Sequence, residues 1–208
     1  KCHVITFGVP QSTVPSDKAV AAKLIREKHQ IPENDVIILF NGLLSYHPNT
    51  EGVRAIVEKI NPILLKETSL NYKIVICGRG LPESFHQLTK YAHENIVYAG
   101  FVENIELYFK AADIFINPVI TGGGIKTKLV EALSFNTTVI STVSGALGFD
   151  KLTVGNKLTT IKDEDWVTFA NAIREKIIEP LNTPTSFYDY YYWGNITQKA
   201  LQIIERKA

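Results

Sequence analysis

The chain has 208 residues, 45% hydrophobic and 21% charged, with a formal net charge of +1. These values suit one compact α/β domain with a substantial buried core, and the charge balance excludes a broad nucleic-acid surface and a disordered acidic tail. Two cysteines (Cys2, Cys77) make no disulfide framework, and no apolar run approaches the ~20 residues needed to span a bilayer, so a cytoplasmic, reducing location without a signal peptide is expected.

The chain opens with HVITFGVP (His3–Pro10), which reads as a strand and turn before a basic helix over Asp17–His29. Asp35–Phe40, Tyr72–Cys77, Asn95–Ala99, Asp113–Pro118 and Thr137–Ser141 are short β-branched or aromatic runs. Their nearly continuous apolar character predicts strands covered on both faces. Lys157–Ile161 reads as a weaker strand. Val53, Ile56, Val57, Ile60 and Leu64 keep helical spacing, with Pro62 expected to kink or end that helix. Further helices are expected over Leu81–His93 and Asn104–Ala111, and along the stripe Trp166, Phe169, Ala170, Ile173 and Ile177. In the tail, Trp193, Ile196, Ala200, Leu201 and Ile204 are helically spaced, and the tyrosines before them need a surface to cover. Strand–helix alternation with short links predicts a doubly wound, Rossmann-like parallel sheet of about six strands, with helices on both faces and ligands bound at the carboxyl ends of the strands.

The stretch ITGGGIKTKLVEALSF (Ile120–Phe135) runs three glycines into two lysines and then a helical pattern. Glycines let a backbone approach a ligand closely. The first helical N–H groups lack partners, and the dipole adds about +0.5 charge there, so Lys126 and Lys128 are unwelcome unless an anion is present. A diphosphate reverses that sign. On a helical wheel Ile125, Leu129, Ala132 and Leu133 face the core, while Thr127, Lys128 and Glu131 fall outward. Glu131 is then placed to accept hydrogen bonds from sugar hydroxyls. The competing reading is a solvated helix start with a Lys128–Glu131 pair worth about 0.2–0.5 kcal/mol.

Other motifs fail on spacing. No glycine directly precedes a lysine followed by Ser or Thr, as a P-loop requires. CGRGLPES gives G-x-G-x-x-E, with Glu83 where a dinucleotide site needs a small residue. No Ser-His-Asp order, HExxH or paired-cysteine metal spacing occurs, and the five histidines are scattered.

The series FNGLLSYHPNTEGV, IVICGRG and IVYAGFVENIELYFKAADIFINPVITGGGIKTKLVEALSFNTTVIST resembles the carboxyl-terminal, donor-binding domain of GT-B glycosyltransferases, in particular the retaining glycosyl transferases group 1. The likeness is strongest over Asp35–Asp150. It implies a single Rossmann-like domain over 17–180, preceded by an interdomain linker over 1–16 and followed by a helix over 181–208 that crosses onto an amino-terminal domain. The absence of methionine, position 1 included, fits an expectation that the chain is a piece of a longer protein.

By the same resemblance the domain binds a UDP- or GDP-sugar, needs no metal or other cofactor, and hands the sugar to a glycan or lipid-linked acceptor held by the other domain, with retention. The fragment alone is then inactive. Peripheral attachment of the full-length protein to the inner face of the plasma membrane is compatible with it. Glu131 matches the second glutamate of the family's E-x7-E motif, which bonds the ribose. The backbone around Gly124, Ile125, Lys126 and Thr127 matches the segment that meets the diphosphate, with Gly123 beside it in the donor site, and Gly100, Phe101 and Val102 match the base pocket.

Two departures stand out. Gly123 occupies the place of the first, sugar-touching glutamate. The turn after the first strand, Gly42-Leu43-Leu44-Ser45-Tyr46-His47, lacks the family's Arg and Lys. Lys126 and Lys128 are therefore expected to stabilise the leaving diphosphate, with Gly42 beside the donor, and Asn49–Thr50 is a weaker anion site. Rival expectations are an inactive nucleotide-binding homologue and an unrelated nucleotide-sugar or NAD-dependent Rossmann enzyme.

Overall fold

The computed structural model describes residues 3–67, 69–178 and 181–205. Its sheet comprises β1 (Val36–Asn41), β2 (Tyr72–Cys77), β3 (Ile96–Gly100), β4 (Ile114–Asn117), β5 (Thr138–Thr142) and β6 (Leu158–Ile161). They are ordered β3-β2-β1-β4-β5-β6, and every neighbouring pair is parallel. The chain builds outward from β1 to β3, returns to lay β4 against the other side of β1, and then builds the opposite way. The order reverses between β1 and β4, where the carboxyl edge of such a sheet opens a crevice.

The helices are α1 (Lys18–His29), α2 (His47–Ala55), α3 (Asn61–Leu64), α4 (Ile105–Ala111), α5 (Thr127–Ser134), α6 (Lys151–Val154), α7 (Trp166–Ile178), α8 (Thr185–Tyr191) and α9 (Trp193–Glu205). They cover both faces, which explains the unbroken apolar strands. In β1, Ile37 and Leu39 enter the core shared with α1, α4, α5 and α8, whereas Ile38 and Phe40 enter the core shared with α2 and α7. All four are at most 1% exposed. Side chains alternate across a strand, so burial on both faces requires apolar residues at every position.

Three local expectations are corrected. His3–Pro10 does not form a strand: Val9 alone makes a bridge, its N–H donating to the Tyr191 carbonyl at 2.8 Å and its carbonyl accepting from the Trp193 N–H at 3.0 Å. Its partner is the junction of two helices, which offers no extended backbone along which pairing can propagate. Pro62 does not end its helix. A π turn over Ile56–Ile60 widens the helix upstream, and α3 carries Pro62 in its first turn, where a missing N–H costs least. Leu81–His93 is not an α-helix: Glu83–Glu94 is a 3₁₀ segment broken at His86, Gln87 and Leu88, which have positive φ. Its buried residues Phe85, Leu88 and Tyr91 recur every third position, the 3₁₀ period.

α4 begins as expected, with the Asn104 side chain accepting from the Leu107 N–H at 3.2 Å. Asn104→Ala is expected to lower stability by about 1 kcal/mol, measured by urea unfolding, with nucleotide affinity unchanged. Of the tail tyrosines, Tyr188 and Tyr191 are buried with Phe187 in the core that includes α5, whereas Tyr190 stays exposed. α9 leaves Trp193, Leu201 and Ile204 exposed. Among the described residues no helix is long and apolar enough to cross a membrane.

Candidate functional site

At the carboxyl edge of the sheet three glycines lie side by side. Gly42 follows β1, Gly78 follows β2 and Gly100 ends β3. The Gly42 N–H donates to the Cys77 carbonyl (3.1 Å), the Gly78 N–H to the Gly100 carbonyl (2.7 Å) and the Leu44 N–H to the Arg79 carbonyl (2.8 Å). A Cβ on Gly78 would lie 2.0 Å from the Gly42 carbonyl oxygen, so glycine is what lets the two turns touch. Over this ledge opens a cavity of about 400 Å³, lined by Asn41, Gly42, Leu43, Arg79, Phe101 and Val102. Phe101 leaves 68% of its surface to solvent. The glycines Gly42 and Gly78 keep one part of the lining free of side chains, and with the exposed aromatic face beside it this suits a planar ring.

The second part of the site descends from β4. Asn117, fully buried, donates to Ser141 Oγ (3.0 Å) and the Gly145 carbonyl (3.2 Å), fixing the exit from β4 against β5. The chain then turns through Gly122 and Gly124, which have φ of +90° and +72°. A Cβ at Gly123 or Gly124 would meet nothing within 4 Å, so this loop faces open space. Lys126 curls back on it, its Nζ donating to the carbonyls of Gly122 (2.8 Å), Gly123 (3.1 Å) and Gly124 (3.3 Å). No side chain caps the first turn of α5, so its N–H groups remain for a ligand.

Lys128 does not point outward as the helical wheel predicts. Its stem crosses the Phe40 ring, with Nζ 4.4 Å from the ring centroid, and Nζ donates to Asn49 Oδ1 (3.0 Å) and the Asn41 carbonyl (3.4 Å). A long lysine stem gains by lying on an aromatic face. Burial, with repulsion from Lys126 added, pulls its pKa down to about 7. The Lys128–Glu131 pair of the solvated-helix reading is not formed. Glu131 is half-buried, and its carboxyl is held above the usual range by burial and by Glu106 on α4. Among the described residues its carboxylate has no hydrogen-bond partner.

The expected residues thus fall into two groups joined at Asn41, which lines the cavity and accepts from Lys128. Gly42, Phe101 and Val102 line the cavity, whereas Gly100 does not line it and only accepts the Gly78 N–H at its edge. Gly123, Gly124, Ile125, Lys126, Thr127, Lys128 and Glu131 belong to the loop and α5. Asn49 and Thr50 do not form a separate anion site. Asn49 is engaged with Leu43 and Lys128, and Thr50 Oγ1 donates to the Leu44 carbonyl at 2.6 Å. Sequence reasoning missed Gly78 and Arg79, although both stand in the CGRG turn it set aside as a failed dinucleotide motif. A second cavity, of about 380 Å³, is lined by Lys18, Asp113, Lys157 and the first residues of β1, β4 and β5. It opens at the amino edge, away from the glycine loop.

Known proteins bear on this geometry. An "Uncharacterized 44.6 kDa protein in cps region" of Klebsiella pneumoniae is 28% identical over 142 residues, 65% of this chain and 36% of that protein. Sucrose-phosphate synthase of Thermosynechococcus elongatus is similar in structure with a TM-score of 0.69 at 15% identity, over 98% of this chain and 52% of the other. HepE of Anabaena, solved in complex with UDP and glucose, gives a TM-score of 0.61 at 15% identity, over 93% and 52% of the two chains. The chain therefore spans about half or less of the length of these proteins. The family model for Glycosyl transferases group 1 matches residues 35–178, from the start of β1 through α7, and the chain belongs to that family.

Proposed function

We propose that this chain is the donor-binding half of a retaining glycosyltransferase that uses a UDP- or GDP-sugar. The observation that carries the reading is Lys128: a half-buried ammonium with no carboxylate partner among the described residues, between an uncapped helix start and a cavity that can take a planar ring. Such a charge is costly to bury alone and is offset when an anion arrives.

In this reading the base lies on the glycine ledge against Phe101, and the ribose hydroxyls donate to Glu131. The diphosphate meets Lys128, the α5 N–H groups and Lys126. As the bond from sugar to diphosphate breaks, negative charge grows on the leaving oxygen. Donors already aimed at that charge lower the barrier without reorganising and without a metal. The HepE complex with UDP and glucose supports the donor class. Acceptor, retention and any membrane attachment belong to the full-length protein, whose amino-terminal domain would cover the exposed face of α9. The open position at Gly123 has no carboxylate to touch the donor sugar.

Calorimetric titration tests the reading: UDP or GDP should bind and NAD should not. Glu131→Ala is expected to weaken binding about tenfold, as loss of a charge-assisted pair of hydrogen bonds implies. It should also abolish discrimination against the 2′-deoxynucleotide. This chain alone should show no sugar transfer, and the full-length protein should transfer to a glycan acceptor. Nucleotide binding with no transfer by the full-length protein would mark an inactive homologue.

A further inference from the structure

The lysine that carries the proposed function stands on a flexible four-carbon stem, and its usefulness depends on what holds its end. Three groups of the β1–α2 connection surround Nζ: the Phe40 ring beneath it, the Asn41 carbonyl and the Asn49 side chain. Of these, the Asn49 amide is the polar side chain.

Asn49 is itself fixed at both ends. Its Nδ2 donates to the Leu43 carbonyl at 3.0 Å, and this contact selects the amide orientation that leaves Oδ1 facing Lys128. Gly42 makes the room, since a Cβ there would lie 2.5 Å from Asn49 Nδ2. Asn49 occupies the first turn of α2, behind Pro48, and Thr50 Oγ1 ties the same turn to the Leu44 and Tyr46 carbonyls. The amide therefore sits on a rigid support, with its oxygen at the carboxyl end of β1.

An amide oxygen differs from a carboxylate in one decisive respect. It accepts a hydrogen bond from an ammonium without neutralising it. A carboxylate at the same place would hold Lys128 more tightly and cancel the charge the anion needs. We infer that Asn49 is a positioning residue for the donor diphosphate, fixing the Lys128 ammonium with a neutral acceptor so that its charge stays available. The inference rests on the proposed function, and it extends the site onto α2.

A double-mutant cycle tests it, with UDP and GDP as probes and dissociation constants from calorimetry. The variants are Asn49→Ala, Asn49→Asp, Lys128→Met and the Asn49→Ala/Lys128→Met pair, each checked for cooperative melting. Asn49→Ala is expected to weaken binding of the nucleotide that the wild type prefers by about tenfold, the scale of one hydrogen bond to a charged group. The same change in the Lys128→Met background should alter affinity by less than about twofold, because a residue acting through Lys128 has nothing left to act on. Asn49→Asp should also weaken binding, although it adds a partner for the ammonium. This variant carries the test if Asn49→Ala does not fold.

Equal losses in both backgrounds would show that Asn49 only shapes the loop, and the inference falls while the role of Lys128 stands. Unchanged or tighter binding by Asn49→Asp would overturn it as well. If Lys128→Met binds as well as the wild type, the lysine clamp of the proposed function fails and this inference fails with it.

Discussion

Replacing Lys128 by methionine is expected to weaken UDP or GDP binding by about 10- to 100-fold, the range of one desolvated, charge-assisted contact. The ligand-free protein should lose little stability. Methionine keeps an apolar stem over Phe40 and removes an ammonium whose pKa burial has drawn down to about 7. The relief of desolvation opposes the two hydrogen bonds lost at Asn49 and Asn41.

The pH dependence gives this prediction a distinctive sign. In the unfolded chain Lys128 holds its proton to the ordinary lysine range, whereas in the fold it releases it near 7. Between those limits the unfolded state binds more protons, so the Lys128 contribution to stability rises with pH above about 7. Below 7 both states are protonated and the full cost of burying the charge is present. Nucleotide affinity runs the other way, since the diphosphate wants the ammonium and binding must take up a proton above about 7. Lys126 is the other charge acting on this group, and its repulsion favours the neutral form. Wild-type protein should thus gain stability and lose nucleotide affinity between pH 7 and 9; Lys128→Met should flatten the affinity slope and reduce the stability slope, of which Lys18 and Lys157, whose pKa burial lowers to about 8, supply a remainder of the same sign. Denaturant unfolding and calorimetry at each pH measure the two slopes. Parallel slopes, or a variant that keeps both, would refute the buried-ammonium account.

What the sequence revealed depended on the range of the forces involved. The sheet was legible because DVIILF and YKIVIC can be buried on both faces only as central parallel strands. The glycine-lysine helix start was legible because its oddity is local: cations where a helix dipole rejects them. The direction of Lys128 was not. A helical wheel assigns a side chain by the angle of its Cα–Cβ bond, and a lysine stem is long enough to turn back across Phe40, whose position is set by strand pairing far away in sequence. The kink at His86–Leu88 was hidden for a related reason, because a period of three differs little from 3.6 over one or two turns. Gly78 was invisible as a site residue because its value lies in contact with Gly42, 36 positions earlier in the chain. The strand wrongly read at His3–Pro10 shows the converse: local β propensity builds no strand without a neighbouring edge.

Gly78→Ala should be the most damaging single methyl group at the site. Gly78 has φ of +146°, a region that side-chain-bearing residues rarely enter, and the new Cβ would lie 2.0 Å from the Gly42 carbonyl oxygen and 2.9 Å from Leu44 Cγ. The first obstacle is backbone, which cannot rotate aside as a side chain can. Relief requires the exits of β1 and β2 to separate, and that strains the Gly42–Cys77 and Leu44–Arg79 hydrogen bonds. Backbone strain and overpacking together imply a loss of about 3 kcal/mol or more. In a domain of this size that is a fall in Tm of about 6–12 °C. Since the same two turns floor the cavity, nucleotide affinity should fall with stability. Gly123→Ala supplies the control: its Cβ meets nothing within 4 Å, so its Tm should stay within about 2 °C of the wild type. A Gly78→Ala protein with wild-type Tm and affinity would mean that the turns after β1 and β2 do not touch, and the glycine ledge could then not be the floor on which a base lies.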